Sequence, residues 1–290
     1  MDGRMTIGVI GGSGIYEALP LESTRTEDVS TPYGEPSSAV TLGELAGREV
    51  AFLPRHGEDH QHTPTDASYR ANIYALKSVG VDRVISTNAV GSLREDLPPR
   101  TLVVPDQIFD RTKHRQPTFF GDGMVVHMSF AEPYCPALVS HLASAAEDAT
   151  DADTATQEGG TYVCIEGPQF STKAESEFYR GQGWDVVGMT TIPEAKLARE
   201  AELSYATIAG VTDYDVWKDD SEVSLQEVLA NAAANQDAIN AVVEHAIRTM
   251  PDDFESEAWS ALEGTINTPA EAIPEETRER IDLLAGEYLE

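Results

Sequence analysis

The sequence is poor in lysine, in cysteine and in long apolar runs. Lysine occurs only at positions 77, 113, 173, 196 and 218, and 50 acidic residues against 20 basic ones give a formal charge of −30. A surface this acidic repels nucleic acid and anionic membranes, so neither is expected as a partner. The acids are dispersed along the chain, and we interpret them as a solvated coat suited to a high-salt cytosol (a halophilic adaptation).

Cys135 and Cys164 are the only cysteines, which is too few for a disulfide framework and typical of a reducing compartment. No N-terminal segment combines basic residues with an apolar run of signal length, and no stretch is long and apolar enough to span a membrane. The sequence therefore predicts a soluble, cytoplasmic protein. With 41% hydrophobic residues, it can bury a substantial core.

Short apolar runs alternate with longer amphipathic segments, and this alternation predicts an α/β fold. Strands are predicted over residues 6–10, 49–53, 83–87, 102–104, 161–165, 186–189 and 205–211. Helices are predicted over residues 67–79, 136–149, 173–182 and 193–201. Because several strands are almost wholly apolar, we expect a single domain with a central mixed, largely parallel sheet flanked by helices.

The C-terminal part of the chain is predicted to be helical. Ser224 and Glu227 form a capping-box pattern before an apolar stripe that includes Leu225 and Val228. After Met250 the composition becomes acidic. We predict a main domain over residues 6–250 and an acidic helical extension over residues 251–290, which is too small to fold alone.

Three segments that follow predicted strands have the composition of an anion site. Residues 11–14 bring glycine N–H groups and the Ser13 hydroxyl to the end of the first strand. Arg55 and His56 follow the second strand, and arginine binds phosphate through two parallel N–H groups. Small polar residues from 87 to 92 follow the third. Because open α/β sheets bind ligands beyond their strand ends, these segments together predict a site for a small oxyanion.

Other interpretations of the same residues are weaker. The segment 11–14 is not followed by the lysine of a Walker loop, and Glu17 occupies the third glycine position of a dinucleotide fingerprint. An NAD-dependent oxidoreductase is therefore a disfavoured alternative. His56, His60 and His62 lack a fourth ligand at metal spacing, so no metal site is expected.

Two carboxylates, Asp213 and Asp215, follow the last predicted strand. A carboxyl group in a shared pocket can have its pKa raised, so that it donates a proton at neutral pH. The alternative is a turn or a helix cap without a catalytic role. Residues 166–171 and 189–191 also follow predicted strands, as expected for parts of one ligand site.

In their order along the chain, segments 11–14, 55–57, 87–93, 166–171, 189–194 and 212–217 resemble the trimeric purine nucleoside phosphorylase family, most closely its 5'-methylthioadenosine-cleaving members. The resemblance covers roughly residues 6 to 247. It implies phosphorolysis, in which phosphate attacks C1' of a purine nucleoside and the base leaves after protonation at N7. It also implies a homo-oligomer, either a trimer or a dimer of trimers. No cofactor is implied, since inorganic phosphate is a co-substrate.

The same resemblance implies roles for individual residues. Phosphate is expected to be held by Ser13, Arg55, His56, Asn88, Ala89 and Thr190. Asp213 is expected to protonate N7 and Asp215 to orient the 6-amino group. The base and ribose are expected to contact Phe170, Ser171 and Met189. The 5'-methylthio group is expected to contact Leu225, Val228 and His127 from a neighbouring subunit.

The base preference follows from hydrogen-bond chemistry. Adenine offers a donor at N6, which a carboxylate accepts, whereas hypoxanthine offers an acceptor. Asp213 therefore predicts cleavage of S-methyl-5'-thioadenosine to adenine and 5-methylthioribose 1-phosphate, a purine and methionine salvage reaction. Asn88 is more typical of 6-oxopurine relatives and keeps open a 6-oxopurine nucleoside or methylthioinosine phosphorylase. A nucleoside-binding protein without turnover is a further alternative.

Overall fold

The computed structural model describes residues 6–12, 19–151, 154–218 and 225–289. These residues form eleven strands of one sheet and six α-helices. The strands are β1 (Thr6–Gly11), β2 (Glu22–Glu27), β3 (Val40–Leu45), β4 (Arg48–Pro54), β5 (Val81–Ser92), β6 (Leu102–Val104), β7 (Gln107–Asp110), β8 (Thr156–Glu158), β9 (Thr161–Cys164), β10 (Val186–Gly188) and β11 (Ser204–Asp213). The helices are α1 (Tyr69–Ser78), α2 (Pro136–Ala149), α3 (Lys173–Gly181), α4 (Thr191–Glu200), α5 (Leu225–Thr249) and α6 (Glu275–Ala285). Short 3-10 helices cover Asp215–Trp217, Glu257–Ser260, Ala270–Ala272 and Gly286–Tyr288.

Strand β5 is the centre of the sheet. It pairs in parallel with β1 and β11 and antiparallel with β10. The sheet continues from β1 through β4 and β3 to β2, from β10 through β9 to β7, and from β11 through β6 to β8. Six of the ten strand pairs within the described residues are parallel. The expected α/β fold with a mixed, largely parallel sheet is therefore confirmed.

The seven predicted strands are all present, but β5 is longer than predicted. Residues 88–92 continue the strand instead of forming a loop, because they pair with β10 and β11. Four strands were not predicted, namely β2, β3, β7 and β8. Strand β2 lies at an edge of the sheet and is exposed at all six positions, so no apolar alternation marks it in the sequence. None of the described helices is long and apolar enough to cross a membrane.

The register of the sheet brings the ends of its central strands together. Gly11 of β1 pairs with Pro54 of β4, and Ile10 pairs with Ser86 of β5. Asp213 of β11 pairs with Gly91 of β5 after a register shift that follows Val211. Fully buried aliphatic side chains hold these strands under the helices, including Val84, Ile85, Ala206, Ile208, Val242 and Val243. The polar segments after these strands consequently meet at one edge.

Residues 251–289 fold back onto the main body. Phe254 and Trp259 lie over the Arg83 guanidinium, with ring centroids 4.5 and 5.5 Å away, and the Trp259 indole N–H donates to the Asp82 carbonyl oxygen at 3.0 Å. Glu202 accepts hydrogen bonds from the Leu262 N–H and the Tyr288 hydroxyl, at 3.0 and 2.7 Å. A separate buried cluster joins this segment to residues 120–124, and it consists of Phe120, Met124, Leu262, Ile273, Ile281 and Ala285. The division of the chain at residue 250 stays a prediction.

Candidate active site

A cavity of about 210 Å³ opens at this edge of the sheet. Ten of the residues predicted for the site line it: Arg55, His56, Asn88, Ala89, Phe170, Met189, Thr190, Asp213, Asp215 and Val228. Ser13 lies outside the described residues. Segments that are far apart in the chain thus supply one concave surface.

Arg55 lies at one end of the cavity, locked by a buried ion pair. Its Nε–H and one Nη2–H donate to the two oxygens of Glu194, at 2.7 and 2.9 Å, and both side chains are 1% exposed. The other Nη2–H donates to the Ser86 hydroxyl at 2.7 Å, and Nη1 donates to the Thr87 carbonyl oxygen at 3.2 Å. Of its five N–H groups, one on Nη1 is left over from these contacts for a ligand.

Glycine at position 12 lets the backbone approach this arginine. A Cβ atom there would lie 3.1 Å from the Thr87 carbonyl oxygen and 3.6 Å from Nη1 of Arg55. Glu194 also accepts hydrogen bonds from the hydroxyls of Ser86 and Tyr205, at 2.8 and 2.7 Å. The carboxylate is therefore fully occupied in holding the arginine, and only the guanidinium reaches the cavity.

His56 is a neutral acceptor in this site. Its Nδ1 lies 3.0 Å from the carbonyl oxygen of His62, and because a carbonyl only accepts, Nδ1 carries the proton. Burial, reinforced by the charge of Arg55 and by the neighbouring His60, lowers the pKa of His56 to about 3. The remaining nitrogen, Nε2, therefore carries a lone pair, to which the hydroxyl of a protonated phosphate can donate.

Asn88 and Thr190 belong to one hydrogen-bonded chain. The Thr190 hydroxyl donates to Asn88 Oδ1 at 2.8 Å, and Asn88 Nδ2 donates to the Thr207 hydroxyl at 2.6 Å. Thr207 in turn donates to the Ser86 carbonyl oxygen at 3.1 Å. This chain fixes the orientation of the Asn88 amide and places it at the Arg55 end of the cavity.

Asp213 stands at the opposite end, on a bulge of β11. The register shift after Val211 re-aims this residue, as β-bulges beside binding sites do. The carboxylate accepts hydrogen bonds from the Thr212 hydroxyl and the Asp215 backbone N–H, both at 2.7 Å. Burial nevertheless outweighs these bonds and raises the pKa of Asp213. Glycine at position 91 leaves space for the Asp213 carboxylate, because a Cβ atom there would lie 2.9 Å from its Oδ1.

Asp215 is buried and has a left-handed backbone conformation. Its φ is +52°, and the residue is 3% exposed. Its carboxylate faces the hydroxyls of Ser176 and Ser171, which have no other partner within the described residues. Burial raises the pKa of Asp215, the Ser176 and Ser171 hydroxyls lower it, and the Asp213 charge adds to the rise. A buried carboxyl group that lines a cavity indicates a ligand with donor groups.

The remaining predicted residues differ in placement. Phe170 is 43% exposed and lines the cavity beside Asp215. Met189 packs against Gly167, where a Cβ would come within 2.5 Å of the methionine sulfur. Val228 lines the cavity, whereas Leu225, one helical turn earlier, is 65% exposed and does not. His127 is also exposed and outside the cavity, and its backbone N–H donates to the Thr265 carbonyl oxygen.

Sequence reasoning missed Arg115, which organises the centre of the site. Its buried guanidinium donates to four backbone carbonyl oxygens, those of Ile165, Glu166, Met189 and Ile192. It also pairs with the Glu166 carboxylate at 3.2 Å. Burial would raise the pKa of Glu166, but hydrogen bonds from Thr65, from the Lys113 and His114 backbone and from Arg115 lower it to about 2. The ends of β9 and β10, which carry Phe170 and Met189, are thereby held together.

His60 is a second addition to the predicted set. Its ring lies 4.5 Å from that of His56, and it lines the cavity. Within the part of the chain that the structure describes, no three His, Cys, Asp or Glu side chains are grouped so as to hold a metal ion.

The cavity has a cationic end at Arg55 and an acidic end at Asp213. Arg55 contacts β5 at Thr87 and Asp213 contacts it at Gly91, two positions about 13 Å apart along the strand backbone at the usual rise of a strand.

The chain is similar to known phosphorylases. The sequence profile of the Phosphorylase superfamily matches residues 6–248. The S-methyl-5'-thioadenosine phosphorylase of Koribacter versatilis (strain Ellin345) is 48% identical, over 97% of this chain and 96% of the relative. That of Chloroflexus aurantiacus is 50% identical, over 98% of each chain.

Solved structures give the same result. The crystal structure of a methylthioadenosine phosphorylase from an antarctic soil metagenomic library has a TM-score of 0.92 and 48% identity, covering 97% of this chain and 99% of that chain. The methylthioadenosine phosphorylase from Schistosoma mansoni in complex with adenine has a TM-score of 0.80 and 36% identity, covering 84% of this chain and 91% of that chain.

Proposed function

Because the chain belongs to the Phosphorylase superfamily, we propose that it cleaves S-methyl-5'-thioadenosine with inorganic phosphate, giving adenine and 5-methylthioribose 1-phosphate. The observation that carries the proposal is a single cavity with Arg55 and a neutral His56 at one end and two buried carboxyl groups at the other. An anion and a purine can occupy these ends together.

At the first end, the Nη1–H of Arg55 that its contacts within the described residues leave over would donate to phosphate, beside Ala89 and Thr190, which line the cavity. His56 Nε2 would accept a hydrogen bond from a phosphate hydroxyl and so orient the anion. A phosphate oxygen then forms a bond to C1' as the bond from C1' to the purine N9 breaks. The bound anion stabilises the positive charge that develops on the ribose.

At the second end, Asp213 would protonate N7, so that the purine leaves as a neutral base. Burial raises the pKa of Asp213 and so favours the protonated form that a general acid requires. Asp215 would accept a hydrogen bond from the 6-amino group through its carboxylate, which lines the cavity. The proton from Asp213 and the electron pair of the broken C–N bond both end on the base, which balances the step.

Adenine is favoured over a 6-oxopurine by the same carboxylates. Hypoxanthine would set its O6 acceptor against a carboxylate, and such a buried mismatch is worth on the order of 10⁴-fold in rate. Asn88 does not argue against this preference, because its amide is committed to Thr190 and Thr207 at the phosphate end.

Selectivity at the 5' end is expected to be weaker. Val228 offers an apolar contact to a methylthio group within one subunit. An apolar pocket rejects an added hydroxyl only by on the order of 10²-fold, so adenosine is expected to be a slow substrate.

We further propose a homo-oligomer, a trimer or a dimer of trimers, in which His127 completes the 5' end of a neighbouring site. Leu225 would approach the substrate in the same assembly, since it is exposed in the single subunit. A cytosolic location is part of the proposal and agrees with two buried, unpaired cysteines, Cys135 and Cys164. Mixing subunits of two variants with lowered activity, His127→Ala and Asp213→Asn, tests the shared site. Activity of the mixture above that of either variant alone is expected, and its absence would contradict sharing.

The reaction itself is tested by following adenine release from methylthioadenosine by ultraviolet absorbance, with and without phosphate, at high salt. We expect release only with phosphate. Asp213→Asn is expected to lower kcat by about 10²- to 10⁴-fold, the range of a lost general acid. Asp215→Asn is the matched variant, and it should shift preference towards inosine. A wild-type preference for inosine would overturn the base assignment. Adenine binding without any phosphate-dependent turnover would indicate a binding protein instead.

A further inference from the structure

Two residues that do not line the cavity hold the 3-10 helix Asp215–Trp217. The Trp217 indole N–H donates to the Ser92 carbonyl oxygen at 2.8 Å, at the end of β5. The Nε–H of Arg180 donates to the next carbonyl oxygen, that of Leu93, at 2.9 Å. The Arg180 guanidinium lies 3.5 Å from the centroid of the Trp217 ring. These contacts form an Arg180–Trp217 clamp between the 3-10 helix, helix α3 and strand β5.

The clamp constrains the backbone of Asp215. A φ of +52° is uncommon for a residue with a side chain, and contacts with the surroundings stabilise it. One end of the short helix is fixed because the Asp215 N–H donates to the Asp213 carboxylate at 2.7 Å. The other end, two residues later, is fixed by the Trp217 indole.

The clamp also reaches the other side of the base pocket through α3. This helix begins after Phe170 and Ser171, and its first turn is closed by a capping box of Thr172 and Glu175. Arg180 stands in its last turn, and fully buried Ser176 faces Asp215 from its middle. A shift of Arg180 would therefore move α3 and the 3-10 helix relative to each other.

We propose that Arg180 and Trp217 are positioning residues for purine recognition, which hold Asp215 and α3 in register against the end of β5. The inference rests on the proposed function of Asp215 and extends it by assigning base specificity to two side chains outside the cavity. The phosphate end has its own support in Glu194, so it does not depend on this clamp.

The first variant is Trp217→Phe, which keeps an aromatic ring beside Arg180 and removes the indole N–H donor. The loss of one hydrogen bond corresponds to about a 3- to 10-fold change. We expect kcat/KM for methylthioadenosine and the affinity for adenine to fall by that factor, while the KM for phosphate stays within about twofold. Arg180→Met removes the other half of the clamp and is expected to act in the same direction, with Arg180→Lys giving only partial rescue.

Trp259→Phe is a matched control at the opposite end of the same strand. Its indole N–H donates to the Asp82 carbonyl oxygen at the start of β5, and it lies over Arg83 as Trp217 lies over Arg180. Each Trp→Phe variant thus loses an indole–carbonyl bond beside an arginine. We expect both to unfold at slightly lower temperature, but only Trp217→Phe to change adenine affinity.

The double variant Trp217→Phe/Asp215→Asn separates an effect on the position of Asp215 from a general loss of folded structure. If the clamp acts through Asp215, the tryptophan change should cost no further adenine affinity once Asp215 is asparagine. Equal kinetics for Trp217→Phe and Trp259→Phe would overturn the proposal, as would an equal rise of both substrate KM values. Adenine affinity is measured by calorimetry and needs no turnover, so a wild type without phosphorolysis would overturn the proposed function and leave the clamp testable.

Discussion

Replacing Glu194 by glutamine removes the carboxylate that holds Arg55. The pair is 1% exposed on both sides, and glutamine has nearly the same volume, so the change isolates charge. Breaking a buried ion pair from one side costs about 3–5 kcal/mol, because the partner charge stays buried. With an unfolding entropy of about 2.1 cal/mol/K per residue over 290 residues, Tm should fall by about 5–8 °C.

The same change should weaken phosphate binding selectively. A hydrogen bond from a charged donor contributes about 1.5–3 kcal/mol, so a displaced Arg55 predicts a phosphate KM higher by about 10- to 100-fold. Adenine affinity should stay close to wild type, since Asp213 and Asp215 lie at the other end of the cavity. Initial rates at varied phosphate and calorimetry with adenine measure the two effects, and scanning calorimetry gives Tm.

Glu200 provides the control, because it is a second buried acid on α4. It is 6% exposed and accepts hydrogen bonds from the Thr118 hydroxyl and the Phe119 N–H, at 2.6 and 2.7 Å. Burial raises its pKa to about 7, so above that pH its charged form destabilises the folded protein. At pH 8 Glu200→Gln should not lower Tm. The reasoning is refuted if both variants lose the same stability, or if Glu194→Gln leaves the phosphate KM unchanged.

Three further outcomes are expected. The stability that Glu200 contributes is fully present below pH 4.5 and is lost as pH rises through about 7. The free energy of unfolding of Glu200→Gln relative to wild type should therefore rise by on the order of 3 kcal/mol between pH 4 and pH 8. Denaturant titrations in which this difference does not change with pH would contradict the expectation. In Arg115→Lys the single ammonium group cannot reach all the carbonyl oxygens that Arg115 binds, so both Tm and kcat/KM should fall. Arg25→Lys, in an exposed ion pair with Glu49, is the control and should change the free energy of unfolding by less than about 0.5 kcal/mol. Because the chain carries a formal charge of −30, its Tm should rise between about 0.1 and 2 M KCl, and a Tm that ignores salt would disprove the proposed screening.

Some of the site was predictable because parallel strands deliver their ends to one edge. Arg55, Asn88 and Asp213 each lie at the end of an apolar run or just beyond it, and the register of β1, β4, β5 and β11 brings those positions together. The polar residues beside these apolar runs marked the site without knowledge of side-chain contacts. Their alternation with helical segments also sufficed for the α/β class.

The residues that hold these site residues in place were not predictable from the sequence. Arg115 binds mainly backbone carbonyl oxygens, which every residue has, so no partner type marks it in the sequence. Glu194 is 139 positions from Arg55 and follows a strand of only three residues. Leu225 and Val228 share an apolar stripe, but an apolar stripe does not tell which turn meets the ligand. Strand β2 is exposed along its length and is recognised only by its pairing with β3.

Strand β5 sets the length of ligand that this enzyme can accept. Arg55 is bonded to its Thr87 and Asp213 packs on its Gly91, so the proposed phosphate and base subsites are attached to one extended backbone that cannot lengthen or contract. An inhibitor that joins an anion to a purine analogue therefore has to match a fixed span. Changes of base preference, by contrast, can be engineered at one end of this strand without rebuilding the other.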